Sequence, residues 1–330
     1  MVEGSTHQDT SGVATAALQL PARTRSNPIS YIFTHQRICG YVFIAPWFIG
    51  FLVWTLGPFL ASIFLSMTNW SLFGKFKFLW FENYQKMFTS DERFKAALVN
   101  TTIYVVASIP LKQIIALSIA MLLNQELRGI YIYRTVFYLP SVTAGVATAI
   151  VRSMIFGYRM GNLNYMLSLI GIEPQPWLTS IKWALPTLIF ISLWNVGSIF
   201  IIYLAGLQSV PAHYYEAAEV DGASDWQKFW KITLPLITPS IFFNIVMGFI
   251  GSFKVFTQAY VMTGGGPADR TLFYVLYLYY KAFRDFRMGY AAAMAWILFA
   301  IILVLTLFQM WLSRKWVYYE GATPERNRAA

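Results

Sequence analysis

Charge is scarce in this sequence: of 330 residues only 12% are Asp, Glu, Lys or Arg, while 57% are hydrophobic. A soluble domain carries about 25% charged residues, so a water-soluble globule is excluded. Cysteine is nearly absent. Cys39 stands alone, and an internal disulfide is impossible. The three histidines, His7, His35 and His213, lie far apart, which with one cysteine makes a poor metal-binding set. The six spans expected from the apolar runs contain no Asp, Glu or His. That opposes a membrane-embedded enzyme of the Ser-His-acid type. It also removes the intramembrane acids expected of an ion-coupled secondary transporter, and no internal repeat compensates. A purely structural membrane subunit is a further alternative, which only an assay separates from a transporter. The Gly-rich loop with Lys and Ser/Thr that cradles phosphates is missing too. Phe73-Gly74-Lys75-Phe76 has no hydroxyl after its lysine, and Gly264-Gly265-Gly266-Pro267 has no lysine and reads as a turn. No cofactor is expected in this chain.

What the sequence does have is apolar length. Arg37 to Lys75 encloses no charge; 96–125 carries only Lys112; 135–151 lies between Arg134 and Arg152. Residues 183–215 and 288–313 are uncharged, and 232–268 carries only Lys254. A helix needs about 20 apolar residues to cross the hydrocarbon layer, and lipid cannot satisfy free backbone groups, which favours helices. The expectation is an all-α membrane protein with six transmembrane helices, at about 38–68, 97–123, 135–157, 183–207, 235–262 and 288–313, within a domain over 36–315. The polar stretch 1–35 reads as a disordered tail and 316–330 as a second tail. Thr271–Tyr280 is apolar but too short to span, and reads as interfacial or re-entrant. Prolines 46, 58, 110, 140, 186, 235 and 239 fall in or near the runs and read as tolerated kinks or hinges. The net charge of +10 would suggest nucleic acid in a soluble protein; here it suggests membrane loops and an anionic cargo. Lys and Arg do not orient the chain, with eleven on the side of the termini and twelve on the other.

Between the fourth and fifth runs lies a polar stretch, Glu216 to Pro235. Tyr215-Glu216-Ala217-Ala218 favours helix, Gly222 breaks it and can form a left-handed cap, and Ser224 or Asp225 can cap a second helix. Ala217, Ala218 and Gly222 are small enough for another surface to approach closely, as a loop seated in a partner's groove requires.

The pattern Glu216-Ala217-Ala218, three residues, Gly222, nine residues, Ile232-Thr233-Leu234-Pro235 resembles the signature loop of permease subunits of binding-protein-dependent ABC importers. Leu207-Gln208-Ser209-Val210-Pro211 and Tyr260-Val261-Met262-Thr263-Gly264-Gly265-Gly266-Pro267 look like the carbohydrate branch, the maltose and glycerol-phosphate type. So do Phe81-Glu82-Asn83-Tyr84, Asn124-Gln125-Glu126-Leu127-Arg128-Gly129 and Phe137-Tyr138-Leu139-Pro140. The resemblance covers roughly residues 38–313. It implies a type I ABC importer permease-like bundle in the bacterial cytoplasmic (inner) membrane, both termini cytoplasmic. It implies a loop over 208–234 that docks on the ATPase through Glu216, Ala217, Ala218, Asp221, Gly222 and Ala223. The implied partners are a second homologous permease, two ABC ATPase subunits that bind ATP and Mg, an extracytoplasmic solute-binding protein, a saccharide and membrane lipid, with no nucleic acid.

Ser141, Gly145, Thr148 and Arg152 recur at helical spacing and predict one small, polar face. Such faces also serve as packing surfaces. The resemblance to maltose-type permeases puts sugar-contacting positions at Ser141, Gly145, Asn195, Ser198, Gly251, Ser252 and Val255. Lys112, Arg152 and Lys254 are the basic residues in or at the ends of spans. Such charges are costly and default to function unless they snorkel to a headgroup. Glutamine is common in the family at the positions matching Lys112 and Lys254. The family often reads Asn-Pro-Asp-Tyr-Gly where this chain has Gly157-Tyr158-Arg159-Met160-Gly161. Arg152 and Arg159 together point to an acidic saccharide, such as a uronate oligosaccharide or a sugar phosphate.

Overall fold

The structure, a computed structural model, describes residues 36–71, 76–125 and 128–318. The expected tail over 1–35, residues 319–330 of the second tail, and Phe73-Gly74-Lys75 lie outside the described residues. The described chain is helical: α1 Gln36–Gly50, α2 Gly57–Ser66, α3 Glu82–Thr89, α4 Glu92–Leu123, α5 Ile130–Val142, α6 Gly145–Ile155, α7 Asn162–Leu169 and α8 Ala184–Ser192. It continues with α9 Gly197–Gln208, α10 Ala212–Val220, α11 Asp225–Lys228, α12 Leu234–Leu236, α13 Thr238–Phe253, α14 Thr257–Met262, α15 Tyr274–Tyr279 and α16 Met288–Ser313. One isolated bridge, Thr68 to Phe78, is the extended pairing among the described residues. The chain divides between Phe59 and Leu60 into two compact units. The described part of the first is helix, and the helical run Gly40–Ser66 passes through the division.

Three runs are long and apolar enough to cross a membrane unbroken: Gly40–Ser66, Glu92–Leu123 and Met288–Ser313. The other crossings are bent pairs. α5 and α6 meet at 98°, α8 and α9 at 42°, and Asp225–Leu236 meets α13 at 63°. Counting each pair as one crossing makes six. The runs expected over 135–157, 183–207 and 235–262 are therefore not single helices, and the last breaks again between Phe253 and Thr257. Two π turns have a sequence cause. Phe51–Leu56 precedes Pro58 and Phe229–Thr233 precedes Pro235. Each proline lacks an N–H and crowds the carbonyl four residues back. The chain responds with wider bonds, Gly57 N–H to Leu52 O and Leu234 N–H to Phe229 O.

α4, 32 residues and about 48 Å long, is the central post. Its first half packs Phe94, Ala97, Tyr104, Val105 and Ile109 with Leu272, Phe273, Tyr274, Leu276, Tyr277 and Met294. Its second half packs Ala116, Ala120 and Leu123 with Phe200, Tyr203, Leu204 and Ile237. Alanines at these contacts let helix backbones approach. The segment Thr271–Tyr280 packs into this core: Thr101 Oγ1 accepts from Tyr274 N–H at 2.8 Å, and Tyr274 OH donates to Met294 O at 2.8 Å. Asn100 donates to the carbonyls of Asp269 and Leu272, at 2.7 and 3.3 Å.

The start of α4 is tied by Asp91. Its carboxylate accepts from Phe94 N–H at 3.0 Å, Tyr277 OH at 2.7 Å and Tyr290 OH at 2.6 Å, joining α4, α15 and α16. Burial alone would push this carboxyl upward. The tyrosine and amide donors, with Lys281 nearby, hold it below the ordinary carboxylate value. At the start of α16, Gly289 N–H donates to Trp70 O at 2.9 Å. A side chain at Gly289 would collide with the Thr68 carbonyl oxygen.

Candidate functional site

Two regions carry the candidate residues. The first is the loop between α9 and α13. α10 ends in a Schellman turn: Ala223 N–H reaches Ala218 O at 2.9 Å and Gly222 N–H reaches Glu219 O at 3.0 Å. Gly222 has φ +74° and open space where a Cβ would stand. Ser224 then opens α11 with a capping box to Gln227. Lys228 staples the two helices, 3.0 Å from Glu219 and 2.9 Å from Asp225. Tyr215 OH and Thr233 Oγ1, 2.9 Å apart, tie α10 to the second π turn. The loop is therefore a preformed helical hairpin. Glu216, Ala217, Asp221 and Gly222 are exposed on it, and Ala218 and Ala223 are half-buried. Val220 (88% exposed), Trp226 (70%) and Trp230 (50%) give it an open apolar surface.

The second region is a cavity of about 520 Å³ walled by α4, α6, α8, α9, α13 and α14. Gly145, Arg152, Asn195, Ser198, Gly251, Ser252, Val255 and Lys112 line it. Ser141, Arg159 and Lys254 do not. The face predicted through Ser141, Gly145, Thr148 and Arg152 is interrupted, because Thr143 is extended and α6 begins only at Gly145. The cause is local competition: Thr143 Oγ1 donates to Pro140 O at 2.9 Å, a carbonyl a continued helix would give to Ala144 N–H. Ser141 instead faces Gly197, where an added Cβ would stand 2.7 Å from Ser141 Oγ. Arg159 is exposed on the turn after α6, and Lys254 is exposed at the end of α13. The two arginines therefore do not share the cavity.

Arg152 does not snorkel. It is 8% exposed, and its Nη2 donates to Asn195 Oδ1 at 2.9 Å. Asn195 sits in the break between α8 and α9, where Leu193, Trp194 and Asn195 N–H bond three residues back. Lys112 Nζ lies 5.6 Å from the centre of the Tyr104 ring, within cation–π range. Among the described residues, no Asp or Glu lines the cavity. Sequence reasoning passed over Tyr104, Ser192, Phe243, Asn244, Phe256, Thr257 and Gln258, all lining residues. Tyr104 carried a usable signal, since it stands eight positions before Lys112 in the same run.

Helix ends meet at this cavity. α6 and α9 begin there without side-chain caps, and α8 and α13 end there at Ser192 and Ser252–Phe253. Helix starts leave N–H groups free and helix ends leave carbonyls free. The wall thus offers backbone donors at the helix starts as well as side chains, while the carbonyls of Phe190, Ile191, Ser192, Gly251 and Ser252 at the helix ends already accept from the residues that follow. Further polar groups are used internally. Gln113 bonds Tyr203 OH and Asn244 O, Asn244 bonds Ile199 O, and Gln258 bonds Leu188 O.

Residues 92–318 match the family described as binding-protein-dependent transport system inner membrane component. The chain is 47% identical over 290 residues to the probable ABC transporter permease protein YesP of Bacillus subtilis (strain 168), covering 87% of this chain and 94% of that protein. It is 33% identical over 278 residues to the multiple sugar-binding transport system permease protein MsmF of Streptococcus mutans, covering 84% and 95%. A crystal structure of a bacterial alginate ABC transporter, in complex with an alginate pentasaccharide-bound periplasmic protein, matches with TM-score 0.73 at 26% identity. That match covers 87% of this chain and 96% of that one.

Proposed function

Because this chain belongs to the family of binding-protein-dependent transport system inner membrane components, we propose that it is the permease subunit of an ATP-driven importer carrying an acidic saccharide of the uronate type. The observation that carries this reading is the cavity where broken helices meet. A sugar presents many hydroxyls that both donate and accept, and the wall supplies both kinds of partner: uncapped helix starts donate, and the hydroxyls of Ser198 and Ser252 and the amide of Asn195 can donate and accept. Interrupted membrane helices that meet at a polar cavity are a recurrent way of building a transport site. Tyr104, Phe243 and Phe256 add ring surface. The acidic part of the reading rests on Arg152 and on a lining without carboxylates, with no role for Arg159. The sugar-binding name of MsmF and the alginate named for the structural neighbour support the same class.

The loop is the input. In this reading it seats in a cleft of an ATPase subunit, with Glu216 making polar contact and Gly222 allowing close approach. The ATPase subunits bind ATP and Mg and do the hydrolysis. The hairpin moves as one piece because Lys228, the Schellman turn and the Tyr215–Thr233 bond hold it together. Both flanking helices run from the loop to the cavity. α9 begins beside Ser198 and ends at Gln208; α13 begins at Thr238 and ends beyond Ser252. At 12 and 16 residues they are struts about 18 and 24 Å long. Asn244 bonded to Ile199 O couples them partway along. Closure of the ATPase pair then reshapes the cavity and exposes it to one side of the membrane or the other. The assembly has a second permease, two ATPases and an extracytoplasmic solute-binding protein, with both termini of this chain in the cytoplasm.

The test is ATPase stimulation of the full complex in lipid nanodiscs with its binding protein, across neutral and acidic oligosaccharides. Stimulation by acidic saccharides is expected. Stimulation by neutral saccharides alone would overturn the acidic assignment, and stimulation by no saccharide would overturn the cargo class.

A further inference from the structure

We infer that Lys112 and Arg152 together form the carboxylate-binding element of the cavity, and that Asn195 is a neutral placeholder that holds Arg152 until a cargo carboxylate displaces it. This rests on the acidic-saccharide reading above and deepens it to named residues.

Lys112 and Arg152 come from different walls, α4 and the last turn of α6, and line the same cavity. Arg152 is buried and Lys112 half-buried, and neither has an acidic partner among the residues lining the cavity. The guanidinium has five N–H donors, and its recorded side-chain bond goes to one neutral amide oxygen, Asn195 Oδ1. A carboxylate binds such a fork through two charge-assisted bonds, each about twice as strong as a neutral one. Asn195 is thus strong enough to orient Arg152 and weak enough to be exchanged. Lys112 rests against the Tyr104 ring and forms no ion pair with a described acid. Snorkelling does not account for it: Leu123, the end of α4, is eleven residues on, or about 16 Å, beyond the reach of a four-carbon stem. Tyr104 lies with its ring beside Lys112 and lines the same cavity as Arg152. A cation in an apolar span with no internal acid marks a place where a negative charge arrives from outside.

The experiment uses the complete complex in proteoliposomes, with binding protein loaded to saturation and uptake counted per ATP hydrolysed. The probes are short oligogalacturonates and oligomannuronates, with neutral malto-oligosaccharides of the same lengths. Lys112→Gln should lower uptake of the transported uronate per ATP at least about tenfold, the order expected for losing one charge-assisted bond. Lys112→Arg, which keeps the charge, should recover most of it. Asn195→Asp fixes a carboxylate beside Arg152 and should block uronate uptake more severely than Asn195→Ala, which leaves the guanidinium open to cargo. Uptake within twofold of wild type in assembled Lys112→Gln complexes, or an Asn195→Asp complex that outperforms Asn195→Ala, would overturn the inference. If Lys112→Gln fails to assemble, the Asn195 pair decides alone. A wild-type complex that imports only the neutral probes would instead overturn the cargo reading, and the inference with it.

Discussion

Gly222 separates two demands on the exposed hairpin: the conformation of its turn and the space a partner needs. At φ +74° an L-residue pays about 1–2 kcal/mol, and an added Cβ meets nothing within 4 Å in this chain. Gly222→Ala should therefore cost the isolated permease only about 1 kcal/mol, since no clash adds to the backbone strain. The turn will not escape the strain by unwinding, because two Schellman bonds and the Lys228 pairs span it. Asn tolerates the left-handed region better than Ala but projects further from the turn. Thermal melting of the solubilised chain should place Asn between Gly and Ala. ATPase coupling in the assembled complex should follow the reverse order of the two variants, with Asn worse than Ala, because the larger side chain intrudes on the docked surface. If Gly222→Asn couples like wild type, the turn's conformation is the whole requirement and the close-approach argument is wrong.

Gly289→Ala should be far more damaging although it adds only a methyl group. Its Cβ would meet the backbone carbonyl of Thr68, with Leu65 O also at 3.0 Å, and neither is a flexible side-chain end. The start of α16 must then shift and lose its bond to Trp70 O; yield of folded protein after detergent extraction reads the outcome, and wild-type yield would refute the close packing. Asp91 predicts a pH dependence. Its carboxyl lies below the unfolded value of about 3.9, so its stabilisation is present above that value and is lost as pH falls through the lower folded one. Asp91→Asn should be less stable near pH 7, and the gap in melting temperature should narrow below about pH 4. A gap that stays constant through that range would refute the assignment.

Much of this architecture is legible because water and lipid impose strong rules on composition. A run such as 288–313, uncharged over 26 residues, has few alternatives to a membrane helix. The hairpin is legible for a different reason: Gly222 and Ser224 act within a few residues, and turn chemistry is local. The breaks are harder to see. Pro140 warns of a kink, but the 98° bend comes from Thr143 taking the Pro140 carbonyl and from Gly197 admitting Ser141. Neither is visible in a periodicity that runs smoothly from Ser141 to Arg152. The Arg152–Asn195 bond joins residues 43 apart, a pairing set by how helices assemble. Arg159 and Lys112 teach the same lesson in opposite directions. Arg159 drew attention as a departure from the family's pattern and stands outside the cavity, while Lys112, an isolated charge in a long run, lines it.

The unpaired cations also bear on leakage. An energised membrane drives small cations inward with about 2.3 kcal/mol per elementary charge for each 100 mV, and a path wide enough for a sugar is wide enough for hydrated sodium or a chain of water. In the proposed reading, Lys112 and Arg152, with no lining acid to neutralise them, would make the interior of this path hostile to protons and sodium ions. If the cavity is the cargo path proposed above, the chemistry that would welcome an anionic cargo would therefore also insulate the cell's ion gradients each time the path opens.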